Sequence, residues 1–163
     1  MPDPIEIFTT GGTIDKVYFD ALSEYQVGPT AVADILRENN VQCEHRLTQL
    51  MRKDSLELTD EDRAAIRKAV EDSDARSILI THGTDTMVET ARALGGIANR
   101  TVVLTGALQP ATLKHSDAEF NIGFALAAAQ SLPSGVYVAM NGRIFDPAIT
   151  RKDRKARRFV EEG

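Results

Sequence analysis

Two stretches of this sequence place hydroxyl groups where a reaction could use them. The first, Thr9-Thr10-Gly11-Gly12-Thr13-Ile14-Asp15, follows the apolar residues Ile5, Ile7 and Phe8; the second, His82-Gly83-Thr84-Asp85-Thr86, follows Ile78, Leu79 and Ile80. Another hydroxyl turn, Thr105-Gly106, follows Val102, Val103 and Leu104. A threonine hydroxyl holds its proton too tightly to attack a carbonyl unaided and needs a base beside it. The three histidines, His45, His82 and His115, are scattered and offer no Ser-His-Asp arrangement. His82, next to a glycine at a strand end, suits a hydrogen-bonding role better than direct chemistry. A lysine kept neutral by burial is a workable base instead, because desolvation lowers an ammonium's pKa. Thr84, Asp85 and a lysine returning from later in the chain would supply that set. One cysteine, Cys43, and three separate histidines build neither a disulfide nor a metal site, so no metal is expected.

To serve one reaction these turns must meet at one edge, and the elements between them provide for that. Ile5 to Thr9 reads as a strand, followed by a connection over residues 10 to 29 that is long for an α/β unit, as functional loops are. Thr30 caps a helix over Ala31 to Asn39, and Val41 to Leu47 returns as a second strand. Thr59 with Asp62 resembles a capping box for a helix to about Asp72, its buried face Ala65, Ile66, Ala69 and Val70. Ser77 to Thr81 and Thr101 to Thr105 are short apolar strands of the kind covered by helices on both faces, with a helix from Thr86 to Leu94 between them. Ser116 or Asp117 caps an alanine-rich helix to about Ser131, and Val136 to Met140 is a further strand. Asn141-Gly142 then turns the chain into an antiparallel edge strand, Arg143 to Phe145. Four strand–helix alternations predict an α/β, doubly wound, flavodoxin-like, mainly parallel sheet with helices on both faces and the ligand at its C-terminal edge. One domain over residues 1–163 accounts for the length.

The composition, 42% hydrophobic and 26% charged, is that of a globular protein, with no bias toward disorder or a disulfide scaffold. Net charge is −5, yet residues 151 to 158 carry six bases against one acid. An acidic body repels a polyanion and few aromatics are placed to stack on bases, so nucleic acid is not the expected partner. The basic tail is expected as a solvated helix or a self-docking segment. The sequence opens without a basic-then-apolar leader and has no apolar run of membrane-spanning length, so no membrane partner is expected and the cytoplasm is the expected compartment.

Together the hydroxyl motifs carry a specific likeness. Thr10-Gly11-Gly12-Thr13-Ile14 and His82-Gly83-Thr84-Asp85-Thr86, in this order and separation, resemble the two signature motifs of the bacterial-type L-asparaginase family. Tyr25-Gln26-Val27-Gly28, Asp54-Ser55 followed by Leu58-Thr59, Thr105-Gly106-Ala107, Phe120-Asn121 and Met140-Asn141 extend the resemblance over most of the chain. The resemblance implies hydrolysis of L-asparagine to L-aspartate and ammonia through an acyl-threonine intermediate, with weak or no glutaminase activity and no cofactor. It implies Thr13 as the nucleophile, Gly12 as a substrate contact, and Tyr25, on the long loop, as the residue that closes over the substrate and assists proton transfer. Ser55 would hold the substrate's α-carboxylate and Asp85 its α-ammonium. Thr84, Lys152 and Asp85 would form the proton-handling set, Thr84 also contacting the substrate through a backbone N–H that helps hold the oxyanion, with Arg151 and Lys155 as close rivals of Lys152. A homo-oligomer, dimer or tetramer, is implied as well.

The departures bear on affinity more than on chemistry. Family members are usually longer, with a smaller C-terminal domain that lends an acid to a neighbouring subunit's pocket; this sequence resembles the short members made of the N-terminal domain alone. The polar substrate contact usual after Ser55 is Leu56 here, and the Arg-Pro usual after the third hydroxyl turn is Gln109-Pro110. A binding module for asparagine or aspartate is one alternative function. An amidase for another small amide, or an amide-handling component of a larger transferase, is the other.

Overall fold

Apolar runs of the chain become strands of one sheet, and the periodic segments between them become helices. The structure, a computed structural model, describes residues 3–162. In chain order its elements are β1 (Ile5–Gly11), β2 (Lys16–Phe19), β3 (Glu24–Val27), α1 (Val32–Glu38), β4 (His45–Lys53), α2 (Asp60–Asp72), β5 (Ser77–Thr81), α3 (Met87–Ala93), β6 (Thr101–Thr105), α4 (Ala118–Ser131), β7 (Gly135–Met140), β8 (Arg143–Phe145), β9 (Thr150–Asp153) and β10 (Arg158–Glu161). The main sheet runs β4-β1-β5-β6-β7-β8. Five strands are parallel, and β8 returns antiparallel to β7. Asn141 and Gly142 make that return with φ of 49° and 85°, the positive values a two-residue hairpin needs.

Strands covered on both faces need apolar residues at every position, which is how β5 and β6 read. Ile7, Leu79, Val103 and Ala139 pack against α1 and α4 on one face. Phe8, Ile78, Ile80, Val102, Leu104 and Val138 pack against α2 and α3 on the other. Burying each such aliphatic side chain is worth roughly 1.5–3 kcal/mol, so these two layers dominate the stability of the frame that carries the turns. The predicted capping box on α2 is present in both directions: Thr59 Oγ1 accepts the Asp62 N–H and the Asp62 carboxylate accepts the Thr59 N–H. The fold is the predicted doubly wound one, with the strand order reversing at β1.

Several local readings differ. The long connection is a hairpin, β2 paired antiparallel with β3, closed at its base by the Gly28 N–H donating to the Asp15 carbonyl at 2.8 Å. The second strand lies at His45–Lys53, not Val41 to Leu47. It is a sheet edge with no fully buried residue, so no apolar run marks it, and the Val41 N–H instead closes α1 on the Leu36 carbonyl. Helix α1 begins at Val32, with Thr30 Oγ1 accepting the Val32 N–H at 3.2 Å. Ser116 Oγ accepts the Ala118 N–H at the start of α4, whereas Asp117 accepts the N–H groups of Leu108 and Gln109 and ties down the loop after β6. Of the four residues expected on the buried face of α2, Ile66 and Val70 are buried and Ala65 is exposed. The basic tail is not a helix: β9 and β10 pair antiparallel, and buried Phe159 docks them on Phe145 with ring centroids 5.8 Å apart.

Candidate active site

Parallel sheets bind ligands above the point where strand order reverses, which here is the C-terminal end of β1 between β4 and β5. Three turns converge there because glycines let their backbones touch. Gly12, at φ 84° and ψ −176°, lies so close to Gly83 that a Cβ would collide with the Gly83 nitrogen. A Cβ on Gly83 would lie 2.5 Å from the Ser55 Cβ and 2.7 Å from its Oγ. Hydrogen bonds fix the same stack. The Gly12 N–H donates to the Lys53 carbonyl at 2.9 Å, Thr86 Oγ1 to the Ser55 carbonyl at 2.7 Å, and Thr10 Oγ1 to the Thr81 carbonyl at 2.8 Å. Half-buried Thr13 opens the short helical turn Thr13–Asp15 directly after Gly12, so the stack holds the hydroxyl-bearing loop against the second motif.

The β9–β10 hairpin supplies the cation. Arg92 of α3 donates to the carbonyls of Pro147 and Thr150 at 2.8 and 3.0 Å, fixing the segment that enters β9. Lys152 Nζ then donates to Thr84 Oγ1 at 2.6 Å and to Asp85 Oδ1 at 2.7 Å. Its rivals point elsewhere: Arg151 pairs with Glu162 at 3.0 Å, and Lys155 is exposed. A hydroxyl and an amine 2.6 Å apart can pass a proton in either direction, the requirement for general acid–base work. The structure therefore joins Thr84, Asp85 and Lys152 directly, and Gly12 and Ser55 to them through Gly83. Tyr25 lies outside this cluster, on the β2–β3 hairpin and 47% exposed, with its ring 5.5 Å from that of Tyr18. It lines a groove of about 370 Å³ with Lys16, Arg52, Asp54 and Glu57. Leu56, in the place of the expected polar contact, is exposed.

Four neighbours escaped the sequence reading. Thr86 holds Ser55, as above. Asp54 accepts the Leu56 N–H at 3.1 Å and pairs with Lys16 at 2.9 Å, linking the hairpin to the Ser55 turn. Arg154 Nε sits 3.5 Å from Asp85 Oδ1. Buried Asp15, two residues beyond Thr13, accepts the Ala31 N–H at 2.8 Å and the Thr30 hydroxyl at 3.3 Å. Thr86 and Asp15 lie inside the two hydroxyl motifs, and their hydroxyl and carboxylate were the available signals. Nothing in a run of bases singles out Arg154.

Two buried titratable groups give the site opposite pH responses. His82 takes part as a structural link, its ring nitrogens bonded to the Gly83 carbonyl at 2.7 Å and to Thr90 Oγ1 at 2.7 Å. Burial, helped by the Arg63 charge, lowers its pKa to about 4. The unfolded chain therefore binds the extra proton first, and stability falls as pH drops from about 6.5 to 4. Burial raises the Asp15 pKa to about 6 against the hydrogen bonds of Ala31 and Thr30. Here the folded chain takes the proton first, and stability rises as pH falls from about 6 toward 3.8. Asp15→Asn, which keeps an acceptor for Ala31, removes the offsetting effect. It is expected to lose about 2 kcal/mol more than wild type between pH 6.5 and 4. Urea midpoints across that range measure this, and parallel curves for the two proteins would refute it.

Comparison with known proteins agrees with this geometry. The family described as Asparaginase, N-terminal matches residues 4–159. The L-asparaginase of Thermococcus kodakarensis is 35% identical over 148 residues, covering 85% of this chain and 44% of that protein. A protein of Haemophilus influenzae named "Probable L-asparaginase periplasmic" is 34% identical over 155 residues, 86% of this chain and 43% of its own. A component of the glutamyl-tRNA(Gln) amidotransferase of Methanococcus vannielii is 44% identical over 84 residues, 50% of this chain and 20% of that protein. The solved structure of the thermostable L-asparaginase from Thermococcus kodakarensis superposes with a TM-score of 0.84 at 28% identity, covering 98% of this chain and 51% of that one. The chain thus spans about half the length of these asparaginases, or less. Among the described residues no helix is long and apolar enough to cross a membrane, and no group of His, Cys, Asp and Glu is placed to hold a metal ion. By sequence and by fold, the chain belongs to the asparaginase family and corresponds to the N-terminal part of its members.

Proposed function

We propose that the chain is an amidohydrolase that releases L-aspartate and ammonia from L-asparagine through an acyl-threonine intermediate. The observation that carries this reading is the Thr84–Lys152–Asp85 cluster set against Gly12 and Ser55 at the switch point. In it, Thr13 Oγ attacks the side-chain amide carbon as the hairpin closes, and the Tyr25 hydroxyl takes up the Thr13 proton while passing its own to the amide nitrogen. The amide nitrogen gains a proton and leaves as ammonia, so the enzyme is left as an ester of Thr13. Water then cleaves that ester to aspartate, its proton relayed through the Thr84–Lys152 pair to the departing Thr13 oxygen, which restores the hydroxyl. Gly12 and Ser55 hold the substrate backbone and Asp85 pairs with its α-ammonium. Glutamine carries one more methylene, which moves its amide away from Thr13. The reading also includes a cytoplasmic homo-oligomer with neither nucleic acid nor membrane as partner.

The purified protein is expected to release ammonia from L-asparagine, with kcat/KM for L-glutamine lower by about tenfold or more. Stoichiometric binding of L-asparagine without ammonia would overturn hydrolysis and leave a binding module. The likeness to part of an amidotransferase favours a second reading, an amidase for another amide within a larger transferase. Faster release from L-glutamine than from L-asparagine would select it.

A further inference from the structure

The carboxylate of Asp85 already carries two cations. Lys152 Nζ lies 2.7 Å from Oδ1, and Arg154 Nε lies 3.5 Å from the same atom. Arg154 belongs to the turn between β9 and β10, and that turn is docked at its far end, where Arg157 donates to the Leu108 carbonyl at 3.2 Å. Asp54 also feels the Lys152 charge, but it is engaged by Lys16 at 2.9 Å. Both cations lie on Oδ1, so an incoming ammonium that pairs with Asp85 does so against the charge of Arg154. An incoming carboxylate meets two cations instead.

We propose that Arg154 is a specificity-determining residue that shares Asp85 with the substrate. By competing for that carboxylate it weakens discrimination between L-asparagine and amides lacking the α-ammonium, the monoamides of dicarboxylic acids, of which succinamate is the direct analogue. The proposal rests on the asparaginase reading for the role of Asp85 and adds the charge that faces the substrate's α-carbon. Arg154 is 63% exposed on its side chain, so its hold on Asp85 is that of a surface ion pair, and replacing it shifts affinity by up to about fivefold.

Calorimetric titration of the whole chain with L-aspartate and with succinate, the products of the two amides, measures this without requiring turnover. Arg154→Ala is expected to raise the ratio of L-aspartate to succinate affinity by about fivefold. Arg154→Glu, which places an acid beside the ammonium, is expected to move it further in the same direction. The kcat/KM ratio for L-asparagine over succinamate should move in parallel. A ratio that stays the same in wild type and both variants overturns the role of Arg154 and leaves the asparaginase reading standing. A shifting ratio without ammonia release supports Arg154 as the determinant of a binding site and defeats hydrolysis. Binding of neither product defeats both.

Discussion

Lys152→Met is expected to lower kcat for ammonia release from L-asparagine by about 10³-fold, and Thr13→Ala by at least as much. Lys152 Nζ is 2.6 Å from Thr84 Oγ1, so its removal takes away the amine through which that hydroxyl exchanges a proton. Methionine keeps the length of the stem, and the loss therefore falls on the nitrogen and not on packing. Asp85 is not left without a partner, because Arg154 remains 3.5 Å away, and the variant is expected to fold. Lys152→Arg should fail to restore the rate, since a guanidinium does not give up its proton in a protein. The control is Arg151→Met one residue earlier, which breaks only the pair with Glu162, exposed on both sides, and should alter kcat by less than about twofold. Because Thr13 and Lys152 serve one reaction cycle, the double variant should be little slower than the slower single one. A Lys152→Met protein within about tenfold of wild type would remove the lysine from the mechanism, since even modest acid–base catalysis exceeds that. Losses that multiply in the double variant would mean that the two residues act separately.

What could be read from the sequence followed from how much of each signal is local. The central strands β5 and β6 are continuous apolar runs, and the Thr59–Asp62 cap is a two-residue motif, so both were legible. Edge strand β4 was misplaced because its residues are half-exposed and alternate weakly. The β2–β3 hairpin was missed because its large apolar side chains, Tyr18, Phe19 and Leu22, face outward and so give none of the burial pattern by which strands are recognised. At the site, the glycine-threonine turns pointed to one edge of the sheet, and the structure brings those turns within backbone contact. The tail resisted prediction for a different reason: six bases in eight residues look alike, and tertiary contacts, the docking of Phe159 on Phe145 and the hold of Arg92 on Pro147 and Thr150, decide that Lys152 faces inward while Arg151 does not. Selection among like charges is a tertiary effect, and no local spacing encodes it.

Gly12→Ala is expected to destabilise the protein by about 3–5 kcal/mol, more than Gly83→Ala and far more than Gly96→Ala. Two separable costs give this order. Gly96 has φ +84° but open space around its missing Cβ, so alanine there pays only for its backbone conformation, about 1 kcal/mol. Gly83 needs no positive φ, but its Cβ would press on the Ser55 side chain, and overpacking of that kind costs about 1–3 kcal/mol. Gly12 combines both: φ 84° with ψ −176° is a region almost reserved for glycine, and its Cβ would meet the backbone of Gly83, which has no side chain to swing aside. The two clashes can be told apart by a double-mutant cycle. Ser55→Gly removes both atoms nearest the new methyl at residue 83, so Gly83→Ala in that background should cost less than it does alone. The same substitution should not help Gly12→Ala, because its obstacle is backbone. Urea unfolding of wild type, the single variants and the two double variants measures all of this. Equal costs for Gly12→Ala and Gly96→Ala would show that the close approach of the two motifs, on which the whole site geometry depends, is not maintained in solution.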